Sequence, residues 1–322
     1  MSPTEAIGIM VQEAIPGVIP AGPMIVPVDL EAGQIAVHVQ GQIATIDPIA
    51  DPDPIADPDP VVDPSAGHIN YVRLMSFHIR DKIKGEDNYY EKNDTIGEYT
   101  IQQLLGEGRY GIVYLALDEK NNKCVVKQLK KNAVKKSKSK LFYEELILKR
   151  LQQPYFPRFI SNFVDGTREG FIMEYMEGEV FEDILYKDRY RFSKEEILGV
   201  CSQLLDIVEQ LHSCNIVHRD IRLPNVIRKN PKELSLIDFG LARRMNDTSH
   251  TKEEDYWYIG DFLIHLYYTT YRKTSVFERP WYKELELTPE EITLLRRLMG
   301  IDETYGSITE IRQQLKKIKT IN

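Results

Sequence analysis

No lysine or arginine precedes Arg73, and no phenylalanine, tyrosine or tryptophan precedes Tyr71. A leading stretch that holds ten acidic side chains and no basic one lacks the positive region of a secretory signal. Without aromatics it also offers little surface to bury against the entropy of ordering. The net charge of -8 belongs to this stretch, because the rest of the chain, from Arg73 on, carries all 41 basic side chains and 49 - 10 = 39 acidic ones. A body so nearly neutral points away from nucleic acid as a partner. Cysteine is scarce. Cys124, Cys201 and Cys214 show no CxxC spacing, which excludes a disulfide framework and a thiolate metal cluster and suits a reduced, cytoplasmic protein. No apolar run reaches the roughly 18 residues that a membrane-spanning helix needs, so none is expected.

What fills the stretch before Tyr71 is proline and aspartate. Eleven of the 17 prolines lie there, and Asp51–Ala56 is nearly repeated by Asp57–Val62. Proline fixes φ and removes a donor, and aspartates at this density repel, so Asp47–Pro64 reads as an extended, solvated linker. Residues 34–46 alternate and are β-prone, which allows a hairpin about Gly41. Residues 1–70 are otherwise expected to be disordered, 71–97 to be an irregular lead-in that packs on the body, and 98–322 to be one domain.

The chemistry-bearing stretch is Cys214–Asn225, where Asp220 and Asn225 stand five residues apart in a turn-rich segment. One oxygen can orient a substrate hydroxyl while the other holds magnesium, which takes oxygen ligands in a tight octahedron. Upstream, Gly106, Glu107, Gly108, Arg109, Tyr110, Gly111 and Val113 complete a GxGxxGxV pattern between two predicted strands. The glycines let backbone approach phosphates, and the strand that follows, where a dinucleotide site has a helix, argues against a Rossmann fold. Lys127 ends the next apolar string after Val113, placed to neutralise phosphate oxygens if an acid holds it. Glu144 and Glu145 both offer that acid on the next helix. Ile147, Leu148 and Leu151 favour Glu144, since they set the buried stripe beside it.

Seven lysines lie from Lys127 to Lys140, a solvated loop or a docking patch for the acidic linker. Ile172–Gly178 reads as a strand that ends in a hinge, with the backbone of Glu174 to Met176 facing a purine, Met173 behind it and Glu179 near the ribose. Ser193 and Glu196 form a capping box before a long apolar period. Beyond Asn225, a short apolar pair and a turn lead to Asp238, Phe239 and Gly240 at the end of a second apolar string.

Glycine loop, lysine, helix acid, His218-Arg219-Asp220 with Asn225, and Asp238-Phe239-Gly240 occur in the order of the eukaryotic-type protein kinases, and residues 98 to about 270 resemble that family. The body looks like a compact bacterial serine/threonine kinase. The resemblance implies an α+β, bilobal fold with a small antiparallel β lobe (about 98–176) and a mainly helical large lobe (about 177–322). It implies ATP with Mg2+, or Mn2+, as cofactor and a protein as substrate. Asp220 would be the base or hydroxyl-orienting acid, Asn225 and Asp238 the metal ligands, and Lys127 with Glu144 the holder of the α and β phosphates. Val125 and Ile227 would flank the adenine, and His218, Phe239 and Leu148 would stack as an internal spine.

Two departures bear on the substrate. Arg222 stands where serine/threonine kinases usually have lysine; it keeps the charge that braces the phosphate, and arginine there also occurs in tyrosine kinases. Asp255–Gly260 resembles the start of the family's central helix, whose aspartate would anchor it to the catalytic loop; it follows Asp238 closely with no APE motif between, so the activation segment is short. Thr248, Ser249 and Thr251 lie in it, with Arg219 placed to pair a phosphate. A phosphotransferase for a small molecule or a specialised partner, and a nucleotide-binding scaffold, stay open as alternatives.

Overall fold

The computed structural model describes strands within residues 6–46 and residues 88–108, 110–131, 143–151, 154–246, 249–272 and 279–321. The chain divides into two units, Met1–Pro54 and Ile55–Asn322. In the first, β1 (Ala6–Ile9) pairs antiparallel with β2 (Met24–Pro27), and β3 (Ile35–Val39) pairs with β4 (Gln42–Ile46), Val39 opposite Gln42. The alternation of residues 34–46 allowed the second of these pairs. Alternating β-prone side chains pair locally through the backbone, and that needs no aromatic core. The linker Asp47–Pro64 and the first part of the lead-in lie outside the described residues.

In the second unit a six-stranded antiparallel sheet has the order β5 (Thr95–Ile96), β6 (Tyr99–Glu107), β7 (Gly111–Leu117), β8 (Lys123–Leu129), β10 (Arg168–Glu174), β9 (Phe159–Asp165). β7 alternates as a half-buried strand should: Ile112, Tyr114 and Ala116 face the core, joined there by Cys124 and Val126 of β8. Helix α1 (residues 143–150) comes between β8 and β9 in the chain. Tyr90, ahead of the sheet, is only 5 % exposed and belongs to the same core. Its hydroxyl donates to Asp165 at 2.9 Å, and the Arg168 guanidinium lies 3.7 Å from its ring centre.

The large lobe begins with β11 (Glu179–Val180) and α2 (Phe181–Tyr186). Helix α3 (Lys194–Ser213) starts at the predicted capping box: Glu196 N donates to Ser193 Oγ at 3.2 Å and Ser193 N to the Glu196 carboxylate at 3.0 Å. Its stripe of Ile197, Cys201, Leu204, Leu205, Val208 and Leu211 is buried at helical spacing. The catalytic loop lies between β12 (Ile216–Val217) and β13 (Val226–Asn230), which pairs with β14 (Glu233–Leu236); β15 (Arg243–Arg244) pairs back to β12. Helices α4 (Lys252–Tyr268), α5 (Trp281–Glu284), α6 (Pro289–Leu298) and α7 (Ile308–Ile321) complete the lobe. No helix among the described residues is long and apolar enough to cross a membrane.

Candidate active site

Strand β8 carries Lys127 inward, opposite Val113 of β7 in the register. Two residues earlier Val125 takes the same face and stands opposite Met173 of β10. Gly111 is needed where β7 crosses β8, since a Cβ there would come 2.9 Å from the carbonyl oxygen of Gln128. A Cβ on Gly106 or Gly108 would meet nothing within 4 Å, so that part of the loop borders open space. Arg109 lies outside the described residues, as do residues 132–140 of the lysine-rich run.

It is Glu144, not Glu145, that reaches Lys127: both carboxylate oxygens accept from Nζ at 2.7 Å. Glu145 instead accepts from Lys149 at 2.5 Å and from Asn162 at 2.9 Å. Lys127 Nζ also donates to Asp238 at 2.9 Å, so one ammonium ties β8, α1 and the start of the activation segment together. Burial by itself would depress the Lys127 pKa, but Asp238 and Glu144 outweigh it and hold the pKa above the ordinary lysine value. The charge of Lys127 depresses Asp238 to about 2. Burial pushes Glu144 up, with Lys127 acting against it.

On the opposite side of the cleft, Arg222 forms a two-point ion pair with Asp220: Nε donates to one oxygen and Nη2 to the other, the latter at 2.9 Å. Asn225 Nδ2 donates to the Asp220 carbonyl at 2.9 Å and to its carboxylate at 2.7 Å. That clamp turns the other face of the carboxamide, Oδ1, away from Asp220. Among the described residues Asn225 Oδ1 accepts no hydrogen bond, and no cluster of three or more His, Cys, Asp and Glu side chains could hold a metal unaided. The Asn225 and Asp238 oxygens match the donor set for magnesium shared with phosphates, which draws on one or two protein oxygens rather than a full cage.

Phe239 is buried between His218, 4.8 Å away between ring centres, and Phe156, 5.7 Å away, while Leu148 is buried on α1 one turn after Glu144. Burial lowers the His218 pKa, leaving a neutral ring in this stack. Asp255, fully buried on the first turn of α4, accepts from the backbone N of His218 at 3.0 Å and of Arg219 at 2.9 Å, and lies 3.0 Å from His212 Nε2.

The residues expected around the nucleotide have the following surroundings. The Glu107 side chain is turned to Lys130 at 2.5 Å and to the Tyr89 hydroxyl at 3.0 Å, and the Lys130 bond holds its pKa below the usual carboxylate range. The Glu174 carboxylate accepts from Arg158 N at 3.3 Å and is exposed, so only main-chain atoms of Glu174 and half-buried Met176 are left for a purine. Glu179 is exposed on β11 opposite Arg228. Ile227 lies under Gly178, whose Cβ, if present, would come 2.8 Å from Cγ2 of Ile227. Tyr110 comes down toward the metal-ligand segment, 3.9 Å from where a Gly240 Cβ would sit.

Arg219, read from the sequence as placed to pair a phosphate, donates from Nε to Glu254 at 2.7 Å. The signal in the sequence that could have found this contact is the pair of consecutive acids, Glu254-Asp255, at a helix start.

A lysine held between a helix acid and an aspartate just past a strand, together with an aspartate–asparagine loop, is the arrangement of a two-lobed phosphotransferase. The protein kinase domain family matches residues 99–276, and this chain belongs to the protein kinase family. The chain is 37 % identical over 228 residues to the probable serine/threonine-protein kinase YbdM of Bacillus subtilis, covering 68 % of this chain and 89 % of that protein. It is 33 % identical over 153 residues to the serine/threonine-protein kinase Nek5 of Mus musculus, covering 47 % of this chain and 24 % of that one. With the serine/threonine-protein kinase pakA of Talaromyces marneffei it shares 29 % identity over 160 residues, 49 % of this chain and 24 % of that one.

Proposed function

We propose that this protein transfers the γ-phosphate of ATP, bound with magnesium, to serine or threonine hydroxyls of proteins. The observation that carries the reading is the Lys127 ammonium bonded to both Glu144 and Asp238, across a cleft from Asp220 and Asn225. The serine/threonine preference rests on the names of the relatives, and the retained positive charge at Arg222 is consistent with it.

Asp220 orients the acceptor hydroxyl and takes its proton as the bond to phosphorus forms. Arg222 and Asn225 hold its carboxylate in place. Lys127, fixed by Glu144, binds phosphate oxygens. Asn225 and Asp238 would hold magnesium, which would supply the positive charge that neutralises the phosphates. Val113, Val125, Met173 and Ile227 supply the apolar walls for a purine, and the hinge backbone reads its edge.

The test is phosphate transfer from labelled ATP with magnesium, wild type beside Asp220→Ala, followed by phosphoamino-acid analysis. Label on serine or threonine is expected in the wild type, and a loss of about 10²–10⁴-fold in the variant. Nucleotide binding with no transfer by the wild type to any protein, itself included, would sink the reading.

A further inference from the structure

We propose that Glu254 is a positioning residue for the transfer reaction: from the first turn of α4 it holds Arg219, and through it Asp220, so that the catalytic loop is set without phosphorylation of the activation segment. The inference rests on the kinase reading above.

Arg219 immediately precedes Asp220 and has φ 65°, a left-handed conformation that a side chain other than glycine adopts only when its surroundings hold it there. Two consecutive acids do so. Asp255 accepts from the Arg219 backbone N at 2.9 Å, and Glu254 Oε2 accepts from its side-chain Nε at 2.7 Å. The pair is largely withdrawn from solvent, with Arg219 14 % and Glu254 30 % exposed. The second oxygen of Glu254 accepts from the Thr251 backbone N at 3.1 Å. Glu254 thus caps α4 and pairs Arg219 in one rotamer, and it cannot swing away without uncapping the helix.

A phosphorylated hydroxyl in such a segment acts by bringing about two negative charges to an arginine and ordering the loop around it. Here a fixed carboxylate already supplies the charge. Among the described residues, the Ser249 hydroxyl accepts from Asn246 Nδ2 at 3.1 Å while Ser249 N donates to Asn246 Oδ1 at 2.7 Å, and Thr251 is the N-cap of α4. A phosphate on Thr251 would stand beside the carboxylate that binds its own backbone N–H, where like charges repel.

The experiment uses the full chain stripped by a phosphatase, with mass spectrometry confirming bare residues 241–254. The stripped wild type is expected to keep at least about half of its kcat. Glu254→Gln, which keeps an oxygen to cap Thr251 but loses the charge, is expected to lower kcat about tenfold or more while KM for ATP stays within about twofold. Arg219→Gln should match it, and the double variant should be no worse than either single one.

A tenfold loss on stripping that returns with rephosphorylation overturns the proposal, as does a Glu254→Gln enzyme with wild-type kcat or additive effects in the cycle. Should Glu254→Gln fail to fold, the stripping arm decides alone. A wild type inactive before stripping would instead defeat the kinase reading. The positioning claim is then read from the Arg219 Nε–Hε proton resonance: a shift in Glu254→Gln supports it, and no shift overturns it.

Discussion

A single ammonium compensates two carboxylates at this site, and its removal should be visible in stability as well as in activity. Lys127 has its pKa raised in the folded state, so its contribution is complete below the ordinary lysine value of about 10.4 and is lost only as pH rises past the folded value. Asp238 is depressed to about 2, so its contribution is present above about 4 and fades as pH falls through 2. Because half of the Asp238 side chain faces solvent, much of its share is screened. Buried Glu144 is the sensitive member, since burial already pushes its pKa up with Lys127 in place. Lys127→Met leaves it without a counter-charge. The variant should lose transfer activity and melt well below wild type at pH 8, with the gap narrowing towards pH 5 as Glu144 takes up a proton. Thermal melts from pH 5 to 8 check this, and a gap independent of pH would mean that the ion pair is not what stabilises the site.

Among the elements, α4 and the catalytic loop depend on each other through Asp255. With Asp255→Ala, the N–H groups of His218 and Arg219 stay buried without an acceptor, each costing about 1–3 kcal/mol. A destabilisation of about 3–5 kcal/mol is expected in urea unfolding, and a smaller one for Asp255→Asn, whose carboxamide oxygen can still accept; a loss of under about 1 kcal/mol for the alanine variant would refute the anchor. This anchor was legible through the resemblance of Asp255–Gly260 to the start of the central helix in the kinase family. The capping box of α3 was legible as a local pattern, and β7 as the strand that follows the glycine loop. The choice between Glu144 and Glu145 was nearly so, since the apolar stripe fixes which face of α1 turns inward. The side-chain partners of Glu107 were not legible, because they join segments whose approach no local period encodes, and that of Arg219 had only the pair of acids at the start of α4 to mark it.

At the scale of the whole molecule, the same limit leaves the contacts of the lead-in unreadable from its sequence. Residues 88–94 have no period and few apolar side chains, so they read only as a lead-in that packs on the body, and Tyr90 is the core residue of the six-stranded sheet through which they do so. Around it a chain of bonds runs inward: Tyr90 N donates to the Tyr114 hydroxyl at 3.2 Å, that hydroxyl to Gln128 at 3.3 Å, and Gln128 Nε2 to the Asn88 carbonyl at 2.9 Å. Gln128 is the neighbour of Lys127 on β8, so the lead-in closes over the strand that carries the catalytic lysine. Cutting the chain before Ile55 removes a separate unit and should leave melting temperature and transfer activity close to those of the full chain. Cutting before Thr95 removes a buried ring, worth about 3–5 kcal/mol by analogy with large-to-small aromatic substitutions, and strands the buried carboxamide of Gln128 without its acceptor. That product should unfold at clearly lower urea concentration and lose ATP affinity as β8 loosens. Equal stability of the two truncated chains would show that the body starts at β5 after all.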